Sequence, residues 1–374
     1  MKRVVKSIYA PTRYVFVADR FSNFISVTDI VSGEHVETLD FSMRPHVMEL
    51  ARDDAMLAVG SPEVSAIEFM NLRTRERRRV ELPSPVFQIF FVPQTNLVAV
   101  GLRDQVGMIS YKDFTVRIFP RRFDSDQRQT LINTYYSLLF SSFSQSFWVL
   151  DEDRPCIYHR YGGAEPLDAP WKTIDLSRHI GTGSGLGIGV ASPEDDLLAM
   201  TTDDGSEGLV YFPAQDKVLS TGPMRTVGST NEPMIMPYID AYSKHVIFAD
   251  VTGNVALFDL VNGNGKPERF RVNFSPRFVP TGWLESTWIL AGDKGIMFQS
   301  FKDPSDRKIV RFVPEVMNMW VTGDSKTALY TLDEGAPAIY RFDIRTREQL
   351  PPIRVRGVTM ASMLRMGSNN SICY

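Results

Sequence analysis

A short pattern of apolar runs and polar turns returns eight times along the chain, and this repeat limits the possible fold more than any other feature. Each repeat opens with a short apolar run that follows a polar turn. A second run rich in β-branched and aromatic residues comes a few residues later, and a third closes most repeats. The opening runs are YVFVAD, MLAVG, LVAVG, FWVLD, LLAMT, VIFAD, WILAG and ALYTL, beginning at Tyr14, Met56, Leu97, Phe147, Leu197, Val246, Trp288 and Ala328.

The residue types in these runs predict β-strands. Val, Ile, Phe and Tyr alternate or cluster over short lengths, and Gly, Asp, Asn and Pro bound them. No segment keeps a 3.6-residue apolar period, which an amphipathic helix would require. The one helical candidate is an insertion at 122–136, between the third and fourth repeats. The chain is therefore predicted to be all-β.

Four-stranded units spaced by roughly 40–50 residues are typical of a β-propeller. One such unit cannot bury both of its faces, whereas a ring of them buries the faces and protects the strand edges. The repeat predicts a single propeller domain over 1–374 with eight four-stranded blades, and seven blades are the alternative. The ring should close with strands from both termini. Thr359–Met366 is predicted to supply the inner strand of the first blade, and Val4–Pro11 competes for that place.

Two stretches carry a resemblance to a known family. Arg44–Glu76, with its entry through Pro45, its charged turn and its following hairpin, is similar to the YVTN-type propeller repeat, and Phe24–Leu39 matches that repeat well. Propellers of this kind include tetrapyrrole-binding domains akin to the nitrite reductase cofactor domain and heavy subunits of quinoprotein amine dehydrogenases. Sugar-lactone hydrolases and periplasmic metal carriers also have propellers of this kind. The resemblance implies the fold and leaves the ligand open.

Composition excludes some function classes. With 43% hydrophobic residues and a net charge of −3 over 374 residues, the chain has a globular composition and no electrostatic reason to bind nucleic acid. No apolar run approaches the ~20 residues of a transmembrane helix. Two cysteines are too few for a disulfide framework, and unpaired thiols mildly favour a reducing compartment or complete burial. The resemblance favours the periplasm, which is the predicted location, and the cytoplasm is the alternative.

The candidate ligand site is the mouth of the central channel, where loops of neighbouring blades meet. Arg44 and His46 directly precede the inner strand of the second repeat and are predicted to lie there. The imidazole would ligate a metal or haem iron, and the guanidinium would pair with a carboxylate. The competing interpretation is a histidine that is hydrogen-bonded to a neighbouring loop. The spacing of His35, His159, His179 and His245 does not fit a zinc site.

Four methionines stand at similar distances before the next strand of their repeats: Met48, Met236, Met319 and Met363. Equivalent positions of different blades face one another around the axis, so these thioethers are predicted to ring the channel and to suit Cu(I) or an apolar planar ligand. Ordinary core packing is the alternative.

A basic run at Arg73–Leu82 falls on a predicted outer strand. Its arginines Arg75, Arg77, Arg78 and Arg79 are predicted to dock an acidic partner protein. The alternative is that these charges guard an exposed sheet edge against aggregation.

Three functions remain open at the level of the sequence. The first is a non-catalytic scaffold or accessory subunit of a larger assembly, which fits the lack of a defensible catalytic set. The second is a tetrapyrrole- or metal-binding accessory or maturation protein with its site at the channel mouth. The third is a calcium-dependent hydrolase of the lactonase type. The sequence itself requires no cofactor, and it leaves enzymatic activity undecided, with the balance toward a non-catalytic protein.

Overall fold

The computed structural model describes the greater part of the chain. The described residues are 13–18, 21–51, 56–103, 105–119, 138–163, 166, 169–180, 184–194, 196–224, 234–282, 286–332, 338–355 and 363–366. The predicted helical insertion at 122–136 and the segment Val4–Pro11 lie outside these residues. The chain divides into two compact units, Met1–Asn96 with Pro280–Tyr374, and Leu97–Val279. The single domain over 1–374 therefore stays a prediction.

The first unit begins with eight strands. They are β1 (Tyr14–Ala18), β2 (Phe24–Asp29), β3 (His35–Asp40), β4 (Val47–Leu50), β5 (Met56–Ser61), β6 (Val64–Asn71), β7 (Arg77–Glu81) and β8 (Val86–Phe91).

The second unit contains the next sixteen strands and two short helical turns. The strands are β9 (Leu97–Leu102), β10 (Val106–Ser110), β11 (Val116–Phe119), β12 (Leu138–Ser141), β13 (Ser146–Leu150), β14 (Cys156–Tyr161), β15 (Lys172–Asp175), β16 (Leu186–Ala191), β17 (Leu198–Thr202), β18 (Gly208–Phe212), β19 (Lys217–Ser220), β20 (Tyr238–Ile239), β21 (His245–Ala249), β22 (Asn254–Asp259), β23 (Glu268–Arg271) and β24 (Ser275–Phe278). The helical turns are α1 (Ser177–Ile180) and a 3₁₀ turn at Pro213–Gln215.

The chain then returns to the first unit with seven strands. They are β25 (Thr281–Gly282), β26 (Thr287–Ser300), β27 (Arg307–Val321), β28 (Thr327–Leu332), β29 (Ala338–Asp343), β30 (Glu348–Arg354) and β31 (Met363–Met366).

The described strands form six four-stranded antiparallel sheets and one seven-stranded sheet. The all-β prediction is confirmed. In the first unit, one sheet has the order β3-β2-β1-β31 and the next β4-β5-β6-β7. In the second unit, β12 to β15, β16 to β19 and β20 to β23 each form a sheet in chain order. Four antiparallel strands in a meander are the predicted blade unit.

The last two predicted units share one sheet. Strand β27 runs without interruption over Arg307–Val321, pairing with β26 through its first half and with β28 through its second half. The expected break between an outer strand and the next inner strand is therefore missing at this point. Eight blades stay a prediction.

Strand β31 pairs with β1, with Met363 opposite Ala18 and Met366 opposite Val15. A C-terminal strand beside the first N-terminal strand is the pairing that the predicted closure requires. Closure of the whole ring stays a prediction.

Burial explains why the opening runs are apolar throughout. All residues of β1 and β5 are buried, because each is an interior strand whose two faces are both covered. Strand β7, at the end of its sheet, buries only Val80 of its five residues. In the first unit, Phe16 and Leu57 belong to one core cluster that joins two successive sheets. None of the helices described combines the length and the apolar character needed to cross a bilayer.

Candidate functional site

A surface cleft of about 490 Å³ opens in the first unit beside Arg44. It lies where three connections meet: the β1–β2 turn, the β3–β4 connection and the β5–β6 turn. Sheets β1–β3 and β4–β7 both contribute to it, so the cleft lies between two successive predicted blades. The lining residues are Phe21, Ser22, Asn23, Phe24, Ser42, Met43, Arg44, Glu63 and Val64.

Backbone and side-chain hydrogen bonds fix the walls of the cleft. The Phe41 N–H donates to the Asn23 carbonyl oxygen at 2.8 Å, and the Asn23 side-chain amide donates back to the Phe41 carbonyl oxygen at 3.2 Å. This reciprocal pair ties the β1–β2 turn to the β3–β4 connection. The cleft is therefore bounded by backbone whose polar groups are already paired.

A buried carboxylate holds Ser42 in place. Glu68 on β6 is 4% exposed, and its Oε2 accepts hydrogen bonds from the Ser42 backbone N–H at 2.8 Å and from the Ser42 hydroxyl at 2.6 Å. Two hydrogen bonds to the same carboxyl oxygen restrain both the backbone and the side chain of Ser42. Glu68 thus fixes the segment that presents Arg44, two residues further on.

The charged groups of the cleft are Arg44 and Glu63. Arg44 Nη1 lies 3.7 Å from Glu63 Oε1, and the two side chains are 52% and 54% exposed. A distance above 3.5 Å is an electrostatic contact and not a hydrogen bond. Phe21, on the opposite turn, is 74% exposed. The cleft thus offers a guanidinium, a carboxylate, hydroxyl and amide groups, and one largely exposed aromatic side chain.

The structure places the other predicted mouth residues as follows. His46 is partly buried, and its backbone N–H donates to the Gly60 carbonyl oxygen at 3.0 Å, but its side chain does not line the cleft. Met48 is fully buried in the core cluster of the first unit, and Met319 is 5% exposed on β27. Met236 belongs to the second unit and is 39% exposed. Met363 begins β31, and its side chain lies outside the described residues. Their ligand role stays a prediction.

The predicted docking arginines already interact with acidic residues and carbonyl groups of their own chain. Arg75 pairs with Glu37 at 2.5 Å, Arg77 donates to the Asp40 carbonyl oxygen at 2.9 Å, and Arg79 pairs with Glu81 at 2.7 Å. Arg77, Arg78 and Arg79 are nevertheless exposed on the last strand of their sheet. The basic strand β7 is thus partly neutralised by acidic neighbours and still open to solvent.

A buried histidine lies in the second unit. His159 on β14 is 7% exposed, and its ring packs against Trp148 with 3.9 Å between centroids and 34° between the ring planes. Its Nε2 has no hydrogen-bond partner among the described residues. Burial lowers the pKa of His159 to about 4, because the charged imidazolium would lose its hydration. The ring is therefore neutral at physiological pH.

Within the described part of the chain, no group of three or more His, Cys, Asp or Glu residues is arranged to hold a metal ion. Gly185, directly before β16, has a packing role: a Cβ on this residue would lie 1.7 Å from the Glu152 carbonyl oxygen. The chain approaches another backbone there too closely for any side chain.

Sequence reasoning found Arg44 and missed the rest of the cleft. Glu63, Phe21 and Asn23 lie in turns, where polar and aromatic residues carry no periodic signal. The available clue was geometric: in a propeller, the turn after the second strand and the entry to the next inner strand are at the same end of neighbouring sheets.

This chain has the successive four-stranded antiparallel sheets of a β-propeller-type fold. It is similar to dihydro-heme d1 dehydrogenase NirN in complex with DHE, with a TM-score of 0.68 and 13% identity over 93% of this chain and 74% of that chain. A functionally unknown protein from Desulfotomaculum acetoxidans DSM 771 gives a TM-score of 0.53 and 8% identity over 94% of this chain and 98% of that one. The computationally designed Ika8 protein gives a TM-score of 0.57 and 12% identity over 85% of this chain and 91% of that one.

At these identities the likeness shows the fold alone. No family model matches the chain, and no curated protein matches it in sequence.

Proposed function

We propose that this chain is an accessory propeller that binds an organic anion with a large apolar body, of the tetrapyrrole class, in the cleft beside Arg44. The observation that carries the proposal is the half-exposed guanidinium of Arg44 in a cleft of about 490 Å³, with the exposed side chain of Phe21 on its wall. Ligand sites usually have volumes of about 300–1,000 Å³ and combine apolar walls with a few polar groups. Arginine suits carboxylates because its planar fork donates two parallel hydrogen bonds.

The side chains of the cleft fit the carboxylate edge of a tetrapyrrole better than its metal. Among the described lining residues there is no histidine or cysteine, and Met43 is 3% exposed. Arg44 would hold a carboxylate, Ser22 and Asn23 would supply hydrogen-bonding groups, and Phe21 would stack on the ring. The ligand would bring its own electron-transfer chemistry. Because the proposed contacts do not include the metal, iron-free and iron-containing ligands are expected to bind with similar affinity.

The structural likeness to NirN supports this ligand class, since that protein is described in complex with DHE. The ligand role predicted from the sequence for His46 and the four methionines is not part of this cleft and stays a separate prediction. The periplasm remains the proposed location.

The test is a titration of the purified chain with protoporphyrin and with haemin, followed by quenching of tryptophan fluorescence. Arg44→Gln should weaken binding of both ligands at least tenfold, because it removes a charge-assisted hydrogen bond worth about 1.5–3 kcal/mol. Arg354→Gln, an exposed arginine on β30 of the same unit, is the matched control and should bind like the wild type. Absence of saturable binding, or equal affinity of wild type and Arg44→Gln, would refute the proposal.

A scaffold role is the second candidate, favoured by the exposed arginines at the edge of their sheet. The partner would be a protein with an acidic surface, since opposite charge guides association. Arg78→Glu should abolish co-purification of one defined partner from the native host, whereas Arg354→Glu should not. Retention of that partner by Arg78→Glu would exclude β7 as its docking site. The calcium-dependent hydrolase stays a prediction of the resemblance alone.

A further inference from the structure

We infer that Glu63 determines which anions the cleft accepts, because its carboxylate competes with an incoming ligand for Arg44. The anion site belongs to the proposed function, but the competition at Arg44 is a separate property that a simple aromatic anion tests. An acidic side chain beside the arginine of a binding cleft weakens the binding of every singly charged anion. A ligand then needs a second favourable contact to bind.

The geometry leaves the hydrogen-bonding capacity of Arg44 available. The 3.7 Å separation from Glu63 is too long for a hydrogen bond, and Glu63 is the one polar partner of the Arg44 side chain among the described residues. A guanidinium carries five N–H donors. A ligand carboxylate or sulfonate can thus accept two hydrogen bonds from the guanidinium. The Glu63 carboxylate must then move away or remain beside a second negative charge.

The backbone on both sides of this pair is fixed, so the competition is confined to side chains. The Glu63 N–H donates to the Ser61 hydroxyl at 3.3 Å, and Ser61 is fully buried at the base of the β5–β6 turn. On the other side, His46 N–H is bonded to the Gly60 carbonyl oxygen, which anchors the segment after Arg44. With both side chains about half exposed, Glu63 can release Arg44 into solvent without any rearrangement of strands.

The size of the effect follows from this exposure. Exposed ion pairs contribute up to about 1 kcal/mol, which corresponds to about a fivefold change in affinity. Glu63→Gln is nearly isosteric and removes the competing charge. It should strengthen binding of a monoanion about three- to fivefold at low salt, and most of this gain should vanish at high ionic strength.

The experiment uses anilinonaphthalene sulfonate, a fluorescent aromatic monoanion, and then protoporphyrin, on the full chain. Four variants are compared with the wild type: Glu63→Gln, Arg44→Gln, the double variant, and Glu348→Gln. Glu348 is an exposed glutamate on β30, so its replacement makes the same change in net charge away from the cleft. The gain from Glu63→Gln should appear with both ligands. It should be largely lost in the Arg44→Gln background, because competition requires the arginine.

Three results would overturn the inference. One is an affinity of Glu63→Gln that equals that of Glu348→Gln. Another is a gain that persists undiminished without Arg44, which would make Glu63 a general repulsive charge. Failure of both ligands to bind even Glu63→Gln also overturns it.

Failure of the proposed function looks different. If the sulfonate follows the expected pattern and protoporphyrin does not bind, the ligand class is wrong and the competition stands. If protoporphyrin binds through Arg44 and Glu63→Gln changes nothing, only the competition is wrong.

Discussion

The burial of His159 predicts a specific loss of stability in mild acid. Its pKa is about 4 in the folded chain against an ordinary value of 6.5, because burial against Trp148 removes the hydration of the imidazolium. In the unfolded chain the ring takes up a proton below pH 6.5, whereas in the folded chain it stays neutral until about pH 4. The unfolded state therefore binds more protons across this window, and the free energy of unfolding falls as the pH falls through it.

The magnitude follows from the two pKa values. They differ by about two and a half pH units, and each unit corresponds to about 1.4 kcal/mol, so His159 alone should cost roughly 3 kcal/mol between pH 7.5 and pH 4. The side chain is 7% exposed, so solvent screening reduces this figure little. Below about pH 4 the contribution becomes constant, because both states are then protonated.

Urea denaturation of the wild type and of His159→Phe, repeated from pH 7.5 to pH 4, isolates the contribution of His159 to the free energy of unfolding. Phenylalanine keeps the aromatic contact with Trp148 and cannot take up a proton, so all other titrating groups cancel in the difference between the two curves. At neutral pH we expect the variant to be as stable as the wild type, because Nε2 of His159 makes no hydrogen bond within the described chain. Parallel stability curves for the two proteins would refute the assigned burial of the ring.

Two further predictions concern packing and the cleft. Gly185→Ala should destabilise the chain by about 2 kcal/mol or more in urea denaturation, because its Cβ would overlap the Glu152 carbonyl oxygen, whereas Gly163→Ala, with no atom within 4 Å, should be neutral. Equal stability of these two variants would contradict the close approach of the backbones. Glu68→Ala should cost about 2 kcal/mol, because both hydrogen bonds to Ser42 are lost, and it should also weaken anion binding at Arg44. Unchanged stability and unchanged anion affinity would show that Ser42 does not depend on this carboxylate.

The sequence by itself determined where the strands lie. MLAVG at Met56 and LVAVG at Leu97 were predicted as strands, and they are β5 and β9. This succeeds because a strand buried on both faces must be apolar along its whole length, and the turns that bound it need Gly, Asp, Asn or Pro. Both requirements are local, so the linear sequence carries them. The repeat of such strands then restricts the chain to few architectures.

Only the tertiary structure decided what surrounds each side chain. Phe21 and Glu63 are separated by four complete strands in the sequence, yet they line one cleft because two successive sheets share a core cluster. Likewise, His159 is buried and neutral because it packs against Trp148 across the β13–β14 pair, whereas His35 is exposed. A contact between distant segments depends on the packing of whole sheets, which local composition does not encode.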